Sequence, residues 1–218
     1  MTFAEIVARI QRGLKDPAIL PTEIKAAVNK QLRSVTAAAH LPNLVKTDSV
    51  FVGAEDLSTN MPADFQHGLM EAYSATNKKA LTIRPNSVSL YAGYIRTGTG
   101  TLIDEVALMG IEEDAILHVR PMSGAEDEIE VTYYRLPYDL VNDSDLPELP
   151  AKNDIHELCI VSGVVLEKLP DTDMDPEAIT KLMGLYGSKL QSGMAILKAM
   201  YPNAPKPRPQ LRRKTRFF

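Results

Sequence analysis

The chain of 218 residues has no tryptophan, one cysteine and no long apolar run. A membrane-spanning helix needs roughly 20 consecutive apolar residues, so none is predicted. The single cysteine, Cys159, excludes an internal disulfide and a cysteine-rich zinc site, and it fits folding in a reducing cytoplasm. Its apolar neighbours mark it as core rather than nucleophile. His40, His67, His118 and His156 share no ligand spacing, and His156-Glu157 lacks the second histidine of a His-Glu-x-x-His zinc helix. Gly98-Thr99-Gly100 lacks the Gly-Lys-Ser/Thr ending of a phosphate loop and is too short for a dinucleotide fingerprint. The acidic runs Glu112-Glu113-Asp114 and Glu126-Asp127-Glu128 lack the alternation and glycine of a calcium loop, and read as solvated turns. No catalytic, cofactor-binding or metal site assembles, so the chain reads as non-enzymatic. The N-terminal stretch is amphipathic rather than charged and then apolar, which predicts no secretory signal.

What is present is an ordinary globular composition, 44% hydrophobic and 24% charged, which argues against wholesale disorder. The length suits one domain, or one domain with an insertion. The net charge of −4 hides an asymmetry: Lys206, Arg208, Arg212, Arg213, Lys214 and Arg216 put +6 on residues 206–218, leaving −10 elsewhere. Residues 104–175 hold 19 acids against 4 bases. An acidic body with a basic end points to a separate partner for that end.

Thr2 and Glu5 have capping-box spacing, and Phe3, Ile6, Val7, Ile10 and Leu14 form one helical stripe. A second helix is predicted from about Thr22, with Ile24, Val28, Leu32 and Val35 on one face, stopping before Pro42. Such short helices are marginal alone, so they are expected to pack together and on a later helix. Residues 48–135 read as β-rich. Val50 and Val52 alternate before a loop reaching Met61-Pro62-Ala63-Asp64-Phe65, and Leu81-Thr82-Ile83 and Val88–Tyr91 are candidate strands. Ala115–Arg120 and Glu128–Tyr134 read as a hairpin. Helix returns over about 154–169, with Asp154 and Glu157 at capping-box-like spacing. The last helix has Asp175 as N-cap and Pro176 at N1, then an apolar spacing from Ile179 to Tyr201. At about 1.5 Å per residue it forms a rod of roughly 39 Å. Gly184, Gly187 and Gly193 each cost it about 1 kcal/mol relative to Ala; they either admit a neighbouring helix or are tolerated surface positions.

Pro202, Pro205, Pro207 and Pro209 hold the end of the chain extended. That end has three readings: a nucleic-acid arm whose Phe217 and Phe218 stack on bases, an inert solvated tail, or a docking peptide anchored by the two phenylalanines. Paired terminal aromatics suit docking best, because a solvated tail gains nothing from them.

The order Tyr133-Tyr134-x-x-Pro137, Asp143-Ser144-Asp145, Pro147-x-Leu149-Pro150, then a helix with His156, resembles the head-to-tail adaptor (connector) proteins of tailed bacteriophages. Residues 2–16 and 22–40 are similar to that family's opening helices. Met61-Pro62-Ala63-Asp64-Phe65 is similar to its Leu-Pro-x-Asp-Phe segment, departing at Met61. The resemblance implies an α+β protein: a helical bundle of N- and C-terminal helices, an antiparallel β-rich insertion and an extended C-terminal arm. The corresponding segments are 1–47, 48–135, 136–201 and 202–218. It implies a virion protein of the neck between capsid and tail, assembled in the host cytoplasm as a ring of typically twelve copies. The expected partners are the portal, tail or nozzle proteins and further copies of itself, with DNA passing through the channel without specific binding. It assigns Lys206, Arg208, Arg212, Arg213, Lys214, Arg216, Phe217 and Phe218 to the portal. The acidic stretch from Asp104 to Asp175 then suits a channel wall that does not trap DNA. The rival reading is a DNA-binding accessory protein using the same basic tail.

Overall fold

A computed structural model describes residues 1–16, 19–85, 102–120 and 124–202. These form two compact units: Met1–Lys46 with Asp64–His67 and Tyr134–Pro202, and Thr47–Ala63 with Gly68–Tyr133. The first is helical and the second is built on strands.

In the helical unit, α1 (Phe3–Leu14) opens with the predicted capping box: Thr2 accepts from the Glu5 amide, and the Glu5 carboxylate accepts from the Thr2 amide. Its stripe of Phe3, Ile6, Val7, Ile10 and Leu14 is buried. Helix α2 (Pro21–Ala37) buries Ile24, Val28, Leu32 and Val35, the face read from the sequence. The two helices pack on each other and on a central helix.

That central helix differs from the single helix expected over 154–169. It runs through a 3-10 turn (Lys152–Asp154), a π turn (His156–Val161), α3 (Ser162–Lys168) and a 3-10 turn (Leu169–Asp171). The Asp154–Glu157 box does not form. Asp154 takes a left-handed φ of 53°, and Glu157 is instead ion-paired with Arg9 of α1. The π register is fixed at Glu157, whose carbonyl accepts from both the backbone N–H and the hydroxyl of Ser162. Ile155, His156 and the run from Cys159 to Val165 are buried, as a helix packed by neighbours on several sides requires.

Helix α4 (Pro176–Met200) has the predicted start, the Asp175 carboxylate accepting from the amides of Glu177 and Ala178. It packs on the central helix at Gly193, where an added Cβ would lie 2.6 Å from Leu158 Cβ and 2.8 Å from Cys159 Sγ. Gly193 and Leu197 are its buried residues. No helix among the described residues is long and apolar enough to cross a membrane.

The strand unit draws on two four-stranded sheets. One has the order β1 (Val45–Val52), β8 (Asp127–Arg135), β3 (Phe65–Ser74), β4 (Lys79–Ala80). The other has the order β2 (Ser58–Asn60), β7 (Ile116–Arg120), β6 (Glu105–Met109), β5 (Thr82–Arg84), antiparallel except for the parallel β5–β6 pair. Strand β2 lies inside the stretch read as a loop. The chain changes sheets at buried Leu81, whose N–H goes to Ala72 while that of Thr82 goes to Asp104.

The expected hairpin is a correction. Both strands exist, but β7 pairs with β2 and β6 whereas β8 lies between β1 and β3. The start of β8 is claimed elsewhere. Asp127, 1% exposed, accepts from the Ser74 hydroxyl at 2.8 and 2.9 Å and from the Asn77 side-chain Nδ2 at 2.9 Å. Such a buried carboxylate is costly without partners, so these bonds fix the pairing. Within β8 the expected alternation holds, with Ile129, Val131 and Tyr133 buried. Val88–Tyr91 and Gly98–Gly100 lie outside the described residues.

Candidate functional site

The Tyr-Tyr-x-x-Pro to Leu-Pro motif forms a strap, residues 135–150, with no regular secondary structure after Arg135. Its prolines remove backbone donors, and the amides and carbonyls that remain need partners. Helix α2 supplies several. Lys25, Asn29 and Arg33 recur every four residues and so share one edge of the helix. Arg33 holds both carboxylate oxygens of Asp139, at 2.9 and 2.8 Å. The Asn29 side-chain amide donates to the Leu140 carbonyl at 3.1 Å and accepts from its N–H at 2.9 Å. Lys25 reaches Asp143 at 2.8 Å.

The acidic turn then closes on α1. Asp145 accepts from the amides of Val141 and Asn142, and these bonds hold its carboxyl below the ordinary aspartate value. The turn's carbonyls accept from the first amides of α1, Phe3 to Asp145 at 2.8 Å and Ala4 to Asp143 at 3.1 Å. Helix starts leave such donors free, so the strap finishes α1.

Glu148 anchors the far end. It pairs with Arg135 at 2.5 and 3.1 Å and accepts from the Tyr138 amide at 2.8 Å, while the Arg135 guanidinium lies 4.1 Å over the Tyr138 ring. His156 completes the anchor. Its Nδ1 faces the backbone nitrogen of Met1, which can only donate, so Nε2 carries the proton and donates to the Leu149 carbonyl at 3.1 Å. Burial lowers its pKa, in keeping with this neutral tautomer.

Beside these exposed ion pairs the strap also presents apolar side chains to solvent: Tyr138 is 70% exposed, Val141 72% and Leu146 64%. A pocket of about 360 Å³ opens beside it, lined by Pro42, Asn43, Glu148, Leu149, Pro150 and Tyr201. Among the described residues no group of His, Cys, Asp and Glu could hold a metal. Cys159 is buried, and burial pushes its thiol up to about 11, far from a thiolate at neutral pH.

The family model of the SU10 adaptor protein matches residues 1–213, taking in the strap and most of the basic end. The chain belongs to the SU10 adaptor protein family. The head-to-tail adaptor resemblance carried by Tyr133–Pro150 is thus confirmed. A search of curated proteins returned no match. Membership places the chain among the structural adaptor proteins of phages. The adaptor's predicted portal residues, Lys206, Arg208, Arg212, Arg213, Lys214, Arg216, Phe217 and Phe218, lie outside the described residues.

The adaptor also holds a grouping that the sequence did not disclose. The His67 ring stacks on Tyr134 with centroids 4.8 Å apart, and His40 lies 5.5 Å from Tyr134 and 6.3 Å from His67. Burial, then the neighbouring His40, lowers the His67 pKa. Both His67 ring nitrogens, the Tyr134 hydroxyl and Gln66 Oε1 are buried without a hydrogen-bond partner among the described residues. Positions so far apart in sequence give no spacing signal.

Proposed function

We propose that the adaptor forms a ring beneath the portal of a tailed phage, linking portal to tail and surrounding the DNA channel. The observation that carries this is the family match over residues 1–213, which takes in the folded units and the basic end as far as Arg213. The helical unit is the ring body, with the strand unit as an insertion into it. Lys206 to Phe218 is the docking arm: its six cations meet acidic portal surface, and Phe217 and Phe218 anchor in apolar pockets. The ring is of about twelve copies, as in the resembling family, and closes by one repeated contact between neighbours. The acid excess of residues 104–175 keeps the channel from binding DNA. The role needs no catalysis.

The test is electron microscopy of cognate portal rings mixed with the full chain and with a chain ending at Pro205. Extra ring density that the truncation abolishes supports adaptor and arm together. Density that survives truncation moves docking to the folded units. The same six cations favour one rival, a DNA-binding arm. Releasing about six counterions, it would lose roughly 10³-fold in affinity between 50 and 200 mM salt. Absence of ring density, with salt-sensitive retardation of DNA, would establish that rival instead.

A further inference from the structure

We propose that the strap of one copy seats on the outer face of α4 of the next copy, and that this is the contact that closes the ring. The inference rests on the ring reading above and names its two surfaces. The strap supplies projecting apolar groups, Tyr138, Val141 and Leu146, above a backbone locked to α1 and α2. Helix α4 supplies the counterpart. Nothing lies within 4 Å of a Cβ placed on Gly184 or on Gly187, and the exposed Met183 (41%) and Leu185 (51%) flank Gly184 in the chain. Gly193 on the same helix has an internal reason, its contact with Leu158 and Cys159; Gly184 and Gly187 have none. Each weakens the helix, and close approach of another chain is what a bare helix surface permits.

The charges agree with this pairing. Residues 136–150 carry four carboxylates and no cation, whereas α4 carries three lysines and one carboxylate. Lys25, Arg33 and Arg135 answer three of the strap's carboxylates; the hydrogen bonds of Asp145 come from amides. Lys189 and Lys198 on α4 have no carboxylate among the described ion pairs. The two surfaces also do not cover each other within one chain: the strap bonds to α1 and α2, and α4 packs on the central helix. A contact between two different surfaces runs head to tail, and such contacts generate rings.

The test uses the full chain, with and without cognate portal rings. Val141→Cys on one copy and Met183→Cys on another should give a disulfide-linked pair when mixed under mild oxidation, with neither giving it alone. Cys159 can stay, being buried. In parallel, Val141→Asp should weaken ring formation at least tenfold with an unchanged melting curve. Gly187→Gln separates assembly from folding: it should raise the melting temperature of the isolated chain while lowering assembly. Rings that form without the mixed cross-link, or a Gly187→Gln chain that assembles normally, overturn the assignment and leave the ring reading standing. A cross-link between two Val141→Cys copies overturns it in favour of a symmetric contact. No assembly under any condition removes both.

Discussion

Replacing Glu148 by Ala tests whether the strap is held as described. Glu148 and Arg135 have side chains 22% and 12% exposed, between a solvated surface pair and a fully buried one. Exposed pairs contribute about 0–1 kcal/mol, and breaking a fully buried pair costs about 3–5 kcal/mol. The Tyr138 amide loses its charged acceptor at the same time. Arg135 retains the Leu136 carbonyl and its place over the Tyr138 ring, which offsets part of the loss. A cost of about 2–3 kcal/mol follows. With a urea dependence of about 2 kcal/mol per M, the midpoint for the helical unit should fall by about 1 M, read by circular dichroism at 222 nm. Lys181→Ala is the control: it breaks an exposed i,i+4 pair with Glu177, a loss of about 0.3–0.5 kcal/mol. A double-mutant cycle of Glu148→Ala with Arg135→Ala should return a coupling of at least about 1 kcal/mol. A Glu148→Ala midpoint indistinguishable from that of Lys181→Ala would refute the anchoring role.

The glycines of α4 should respond with opposite signs in the isolated chain. Gly193→Ala drives a Cβ into Leu158 and Cys159 and should destabilise by about 1–3 kcal/mol, whereas Gly184→Ala meets open space and should stabilise by about 0.5–1 kcal/mol in thermal melts. Acid should weaken the fold through two histidines. His156 and His67 both have lowered pKa values, so as pH falls below about 6.5 the unfolded chain takes up protons first and stability drops. Urea midpoints at pH 7.5 and 5.0 read this, and His156→Gln should flatten the slope between them. Amide exchange should divide α4 unevenly in the isolated chain, with residues 178–190 exchanging faster than residues 191–200, where Gly193 and Leu197 are buried.

The elements legible in the sequence were those fixed by neighbours along the chain. The Thr2–Glu5 box, the Phe3-to-Leu14 stripe, the Asp175-Pro176 start of α4 and the alternation of β8 all have their causes within a few residues. What stayed hidden depends on partners remote in sequence. Strands β7 and β8 follow each other, which suggested a hairpin, but Asp127 is committed to Ser74 and Asn77, about 50 residues earlier. The π turn depends on one added bond pair between Ser162 and Glu157, and propensity carries no trace of it. The strap was visible as a family signature, yet its role was not. Asn29 and Leu140 are 111 residues apart and Arg33 and Asp139 are 106 apart, so only the fold brings them together.

The strap divides its apolar groups: Pro137, Leu140, Pro147 and Leu149 are buried, while Tyr138, Val141 and Leu146 face water. That division has a physical basis. Strap residues joined to neither sheet nor helix leave many backbone groups to satisfy, and side chains on a pre-formed helix edge satisfy them at fixed spacing. Lys25, Asn29 and Arg33 hold the strap from α2, and Tyr138, Val141 and Leu146 remain exposed beside these bonds. Single exposed apolar residues are ordinary on a protein surface; here three stand on one strap whose backbone is already bonded to α1 and α2. Preorganisation of this kind lowers the ordering cost of association. In the ring proposed above, a strap held in this way would meet its neighbour without rearranging.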